Sequence, residues 1–164
     1  MSCAAESLCY IRAMLEDYPL IPERIFRPKS FGGLMALYES NFFRLLRLVP
    51  ELYRLDGYYR SSVVGDRDLH VEILERNRYT ITLTLSYFFY ADGSRIADPD
   101  MRVRVYLDGK LAEVTGFGGD HRHAELRRIQ RAHRNELDER WRRNIVLNKW
   151  LDYLMEQGHL VLER

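Results

Sequence analysis

The stretch DMRVRVYLDGKLAEV, from Asp100 to Val114, limits what this chain can fold into more than any other segment. Met101, Val103, Val105 and Leu107 alternate with Arg102, Arg104 and Tyr106, the period of a strand that buries one face. Asp108 and Gly109 follow. Both central positions of a type I′ turn need φ > 0, which Asp tolerates and Gly adopts freely, so the pair predicts a tight hairpin with a second strand from Lys110 to about Thr115. A hairpin with one apolar face needs further strands and a covering layer to be stable.

The rest of the chain supplies both. The predicted strands are Tyr58 to Val64, Leu69 to Glu75, Tyr79 to Tyr90, Met101 to Leu107 and Lys110 to Thr115, separated by polar or glycine-containing turns. In the third, Tyr79, Ile81, Leu83, Leu85 and Tyr87 share one face, with Thr80, Thr82, Thr84 and Ser86 on the other. Ser30 is placed to cap a helix running to Val49, where Pro50 ends it. Leu34, Leu37, Tyr38, Phe42, Leu45 and Leu48 give that helix an apolar stripe. A last helix is predicted from Asp138 to Gln157, with Gly158 as its terminating residue. Leu8, Ile11, Leu15 and Tyr18 predict a shorter helix before Pro19. The tail HLVLER is read as a sixth, edge strand or as a segment packed under the last helix. The expected architecture is α+β: an antiparallel meander of five to six strands with helices packed on one face. Residues 30–164 form one domain in this reading, and residues 1–29 an N-terminal helical extension.

Composition narrows the function classes. A length of 164 residues with 46% hydrophobic content suits one core. The net charge of +1, from 25 basic and 24 acidic residues, argues against a general affinity for nucleic acid or anionic membrane. Cys3 and Cys9 alone build no disulfide framework. Glu6, Arg12, Glu16 and Asp17 interrupt what would be the apolar core of a signal peptide, and the uncharged run from Tyr79 to Ala91 is too short to span a bilayer as a helix. The expectation is a cytoplasmic protein without a membrane partner.

Four blocks together resemble the YqiB-like family of uncharacterised proteobacterial proteins: LMALYESNFFRLLRLVP, YTITLTL, PDMRVRVYLDGKLAEV and DERWRRNIVLNKWLDYLMEQGH. The matching positions are Asn41, Phe42, Leu45, Arg47 and Pro50, then Met101, Val103, Arg104, Tyr106, Ala112, Glu113 and Val114. In the last helix they are Asp138, Glu139, Asn144, Leu147, Trp150, Leu151, Tyr153 and Gly158. The resemblance runs from Leu34 to His159 and implies a small cytoplasmic bacterial protein, with no reaction or substrate attached. Residues before Phe31 look like an extension, and the family's Tyr-Pro-Asn feature is absent around Ile129 to Arg131.

Three groups of residues carry chemistry. Arg104, Tyr106, Glu113 and Arg102, with His70 and Glu72, are expected on the less buried sheet face. Arginines there suit carboxylate or phosphate. The commoner explanation is a cross-strand Arg–Glu pair, stabilising by about 0.2 to 1 kcal/mol. Arg127, Arg128, Arg131, Arg134 and Arg142 are the second group, an anion or nucleic-acid patch if they share a helical face, although Glu125, Glu136, Asp138 and Glu139 interrupt it. Asn41, Asp138, Asn144 and Trp150 are read as structural, Asn144 as a link from the last helix to strand or loop backbone and Asp138 as a cap at its start. His121 and His123 lack further ligands, so no metal and no cofactor are expected.

No nucleophile elbow, P-loop or dinucleotide fingerprint is present. The sequence therefore predicts a non-enzymatic binding or adaptor module with another protein as partner and room for a homo-oligomer. A nucleic-acid or nucleotide binder using residues 122–143 is the alternative. An enzyme acting on an anionic metabolite through Arg104, Tyr106 and Glu113 is the third reading.

Overall fold

A computed structural model describes residues 29–91, 93–117 and 136–162. The helix expected between Leu8 and Tyr18, the proposed extension, and Arg127, Arg128, Arg131 and Arg134 lie outside the described residues.

Helix α1 spans Phe31–Leu48. Ser30, extended at φ −85 and ψ 157, accepts the Gly33 N–H on its Oγ at 3.1 Å, satisfying one of the donors that a helix start leaves free. At the other end Val49 leaves helical geometry at φ −129 and ψ 74, as the residue before a proline tends to. Five strands follow: β1 Gly57–Ser61, β2 Leu69–Arg76, β3 Thr80–Ala91, β4 Ser94–Tyr106 and β5 Leu111–Phe117. Each pairs antiparallel with the next, in the order β1-β2-β3-β4-β5, so the α+β meander is as expected. Helix α2, Glu136–Glu156, completes it. Among the described residues the tail adds no sixth strand. Residues 159–162 are irregular, and Val161, 2% exposed, donates its N–H to Leu48 O at 2.9 Å.

The turns differ from the sequence reading in an instructive way. Asp108 and Gly109 do not form a two-residue turn: Tyr106 pairs with Leu111, leaving a four-residue connection 107–110. Its left-handed residue is Lys110, at φ 52, in keeping with longer loops built around an ordinary turn plus one αL residue. The two-residue connection lies at positions 92–93, since Ala91 pairs with Ser94 and Gly93 sits at φ 73. Strand β4 consequently begins seven residues before Met101. SRIADPD reads as loop because it is polar and holds Pro99, which cannot donate to a ladder. The structure accommodates it where the register shifts between Ser86 and Phe88.

One face of the sheet is core. Leu69, Val71, Ile81, Leu83, Leu85, Met101, Val103, Val105, Ala112 and Val114 are 0–1% exposed and pack with Phe42, Leu45, Leu48, Leu147, Trp150, Leu151 and Leu154 of the helices. A second cluster, Leu34, Leu37, Tyr38, Trp141 and Ile145, continues the helix pair beyond this core and meets Leu111 of β5. Arg76 fastens the connection between α1 and β1 by donating to the carbonyls of Leu52 and Tyr53, at 3.0 and 3.1 Å, and of Leu55. After α2, Gly158 at φ 91 lets the His159 N–H reach Leu154 O at 2.9 Å and its own N–H reach Met155 O at 3.1 Å. These are the two bonds of a Schellman motif.

Candidate functional site

Among the described residues no element packs on the second face of the sheet, and its polar side chains form rows set by register. Glu72, Thr84 and Arg102 stand in one row, Thr82, Arg104 and Glu113 in the next, and Thr80 and Tyr106 in a third. Arg102 and Arg104 are exposed, whereas Glu113 is only 9% exposed. Strand β5 is the sheet edge, and the helix pair reaches around it.

The Tyr106 hydroxyl donates to Glu113 Oε1 at 2.7 Å, and Arg140 of α2 places Nη1 3.5 Å from Glu113 Oε2 while pairing with Glu136 at 2.7 Å. The Tyr38 hydroxyl lies buried beside Glu113 and Arg140 without a hydrogen bond of regular geometry. Burial first, then the Glu113 charge, pushes its pKa up to about 12. Tyr106 is also shifted upward, by burial and then by Glu113. Both phenols therefore stay protonated at neutral pH, as hydrogen-bond donors. The predicted surface group is thus split: Arg104, Tyr106 and Glu113 are neighbours, with Glu113 turned to Arg140 and Tyr106, and Arg102 stands a row apart.

Farther along the same face the sequence reading passed over an aromatic strip. His70, opposite Arg60 and Ser86, has its ring 5.7 Å from that of Tyr58 and 4.6 Å from that of Phe88, the latter edge-on at 73°. The Tyr58 hydroxyl bonds His70 Nδ1. The Arg95 guanidinium lies 3.5 Å over the Phe88 ring, and Arg95 pairs in register with exposed Tyr90. Burial, followed by the charge of Arg95, lowers the pKa of His70, keeping it neutral at pH 7. The signal was the even-numbered series Ser86, Phe88, Tyr90, which continues the polar face of β3 but turns aromatic.

Two buried polar groups anchor α2 at opposite edges of the sheet. At β5, Asn144 Oδ1 accepts the edge N–H of Val114 at 3.0 Å and Asn41 Nδ2 at 3.2 Å, while its own Nδ2 donates to Arg140 O at 2.8 Å. Asn148 Nδ2 reaches Asn41 Oδ1 at 2.8 Å. Asn41 and Asn144 are 0% exposed. A sheet edge with free N–H groups invites pairing with another chain, and this amide closes it at one position.

At the β1 edge, His159 Nε2 lies 3.2 Å from Asp66 Oδ2 and Nδ1 lies 3.0 Å from Ser61 Oγ, which also accepts the Leu160 N–H at 3.2 Å. Tyr87 donates to the same Asp66 oxygen at 2.7 Å. An ionised Asp66 only accepts, so the Nε2 that faces it carries a proton. Burial by itself raises the Asp66 pKa, but hydrogen bonds from Tyr87, the Arg67 N–H, Tyr153 and His159 outweigh it and hold the carboxyl below its usual range. Serine, histidine and aspartate are the residue types of a nucleophilic relay. Here the His159 side chain is 0% exposed and Ser61 is 7% exposed, so the chain of bonds ties the tail to the sheet. These residues are distant in sequence, and no local spacing announces them.

Asp138 falls within the first turn of α2, at the positive end of the helix dipole, and lies 3.9 Å from Lys29 Nζ. Arg142 is carried on α2, in the helical layer and apart from Arg102 and Arg104. Trp150 is fully buried, edge-on to Tyr87 at 5.4 Å between ring centres. Among the described residues no three His, Cys, Asp or Glu side chains converge as for a metal ion, and no helix is long and apolar enough to cross a membrane.

Among the described residues, the meander, the two-helix layer and the second face with no element packed on it define the class of the molecule: an α+β domain with an open antiparallel sheet. Residues 44–160 match the family described as "Protein of unknown function (DUF1249)", and the chain belongs to that family. No curated protein and no solved structure matches it.

Proposed function

We propose that this chain is a non-enzymatic binding or adaptor module, YqiB-like within its family, that works in the cytoplasm and recognises its partner on the open face of the sheet. Residues 30–164 constitute the recognising domain in this reading, with residues 1–29 as an extension. The supporting observation is the two-sidedness of β4: Met101, Val103 and Val105 are core residues, whereas Arg102 and Arg104 between them are exposed on an uncovered face. Guanidinium groups so placed suit carboxylate or phosphate with little rearrangement. The enzyme reading has one observation in its favour, the grouping of Tyr38, Tyr106, Glu113 and Arg140. Glu113 is nevertheless screened by its own partners, which fits a structural role better.

A photo-crosslinking amino acid at position 104, compared with one at exposed position 39 on α1, tests the binding reading in cells. A discrete adduct from position 104 and none from position 39 is expected. Equal labelling from both positions, or none from either, overturns it.

A further inference from the structure

The open face carries more than arginines, and the strip across β1 to β4 narrows the class of partner. Tyr58, His70, Phe88 and Arg95 come from four successive strands and touch in sequence. Tyr58 is 55% exposed and Tyr90 75% exposed, so aromatic surface remains available at both ends. The guanidinium of Arg95 lies over the Phe88 ring, and a guanidinium plane stacks on a base as an aromatic ring does. Arg60 flanks the strip, and Arg102 and Arg104 continue the positive positions along β4.

Some carboxylates on this face are already engaged: Asp68 lies 3.5 Å from Arg60, and Asp100 accepts from Ser86. Glu72, and Glu75 in the row of Thr82 and Arg104, stand among the arginines and limit the net positive potential. A platform of rings across an open antiparallel sheet with guanidinium groups beside it matches the needs of unpaired bases joined by phosphates. A duplex hides its bases in the stack and offers such rings nothing to cover.

From these contacts we infer that the open sheet face binds single-stranded nucleic acid, with bases stacked on Tyr58, Tyr90 and the Arg95 plane and phosphates met by Arg60, Arg102 and Arg104. The inference rests on the binding-surface reading above and supplies its partner class. With few arginines, and with Glu72, Glu75 and Asp100 on the same face, binding is modest in affinity and in salt dependence. Two to three phosphate contacts correspond to a log–log salt slope of about −1.4 to −2 for a single strand.

The test is fluorescence anisotropy of the full-length chain with labelled oligouridylate and oligothymidylate twelve-mers and a duplex of equal length. Expected are saturable binding of a single strand, at least tenfold weaker binding of the duplex, and a salt slope in that range. Tyr58→Ala and Arg95→Ala are each expected to weaken single-strand binding about tenfold, from the usual contribution of a stacked base. Circular dichroism melts check that both variants remain folded, and Arg47→Ala, at an exposed position on α1, is expected to leave affinity unchanged. Absence of saturable binding at 50 mM salt, equal binding of duplex, or full affinity in folded Tyr58→Ala and Arg95→Ala variants overturns the inference. If the position-104 adduct forms but is a nuclease-resistant protein adduct, the nucleic-acid inference falls and the binding-surface reading stands. If no adduct forms either, both fall.

Discussion

The two anchors of α2 solve one problem with opposite chemistry. At the β5 edge the anchor consists of neutral amides, with Asn144 accepting from the Val114 N–H and from Asn41. At the β1 edge it is an ionisable chain through Asp66, His159 and Ser61. The distances explain why one helix and its tail can do both. From Asn144 to Glu156 the helix rises about 18 Å, and crossing from β5 to β1 takes about 19 Å at the usual strand spacing. The helix therefore lies across the sheet with one tie at Asn144 and the other just past its C-terminal end, and its buried Trp150 sits between them against Tyr87. Only the β1 tie changes with proton concentration, so the two edges have different vulnerabilities.

Removing what both ties share gives the largest effect. Trp150→Ala is expected to cost about 3 to 5 kcal/mol in urea unfolding. Its indole N–H is buried without a hydrogen-bond partner, so Trp150→Phe should retain much more of the stability. Equal losses in the two variants contradict a packing role.

The amide tie comes next. Asn144→Ala leaves the Val114 N–H and the Asn41 amide without their acceptor, at about 1 to 3 kcal/mol, and this loss should be the same at pH 7 and pH 4. A loss that changes with pH means that the amide cluster is coupled to an ionisable group, and the contrast between the edges fails.

The smallest effect is the most diagnostic. The folded-state pKa of Asp66 is depressed, so its contribution is present above the unfolded value near 3.8 and is lost as pH falls through the folded value. Wild type should lose stability below about pH 4, and Asp66→Asn should flatten that part of the profile while lowering stability at pH 7. An unchanged profile in Asp66→Asn assigns the acid sensitivity to other carboxylates.

Much of this architecture was legible because local rules and burial agree. The Ser30 cap, the Val49 stop, the Gly158 terminator and the two-faced pattern of β3 each follow from a few neighbouring residues. The turn assignments fared worse. Asp108–Gly109 and positions 92–93 carry the same dipeptide, and the number of residues between paired strand ends, which local sequence does not state, decides which becomes the two-residue turn. Arg102, Arg104, Tyr106 and Glu113 were legible as one alternating group, but Glu113 was drawn inward by Tyr106 and Arg140, and Arg140 comes from a helix 27 residues away.

By itself, then, the sequence determined which side of each strand is apolar, where α1 starts and stops and where α2 ends, and that an antiparallel sheet needs its one apolar face covered. Those properties arise from side-chain period and from backbone groups within one turn or one strand, so they are written locally. The tertiary structure alone decided that Ser61, Asp66, Tyr87 and His159 meet, that Asn144 closes an edge, and that Tyr58, His70, Phe88 and Arg95 line up across four strands. Each of these depends on strand register and on where α2 lies across the sheet, and a shift of one residue would turn the aromatic strip into the core.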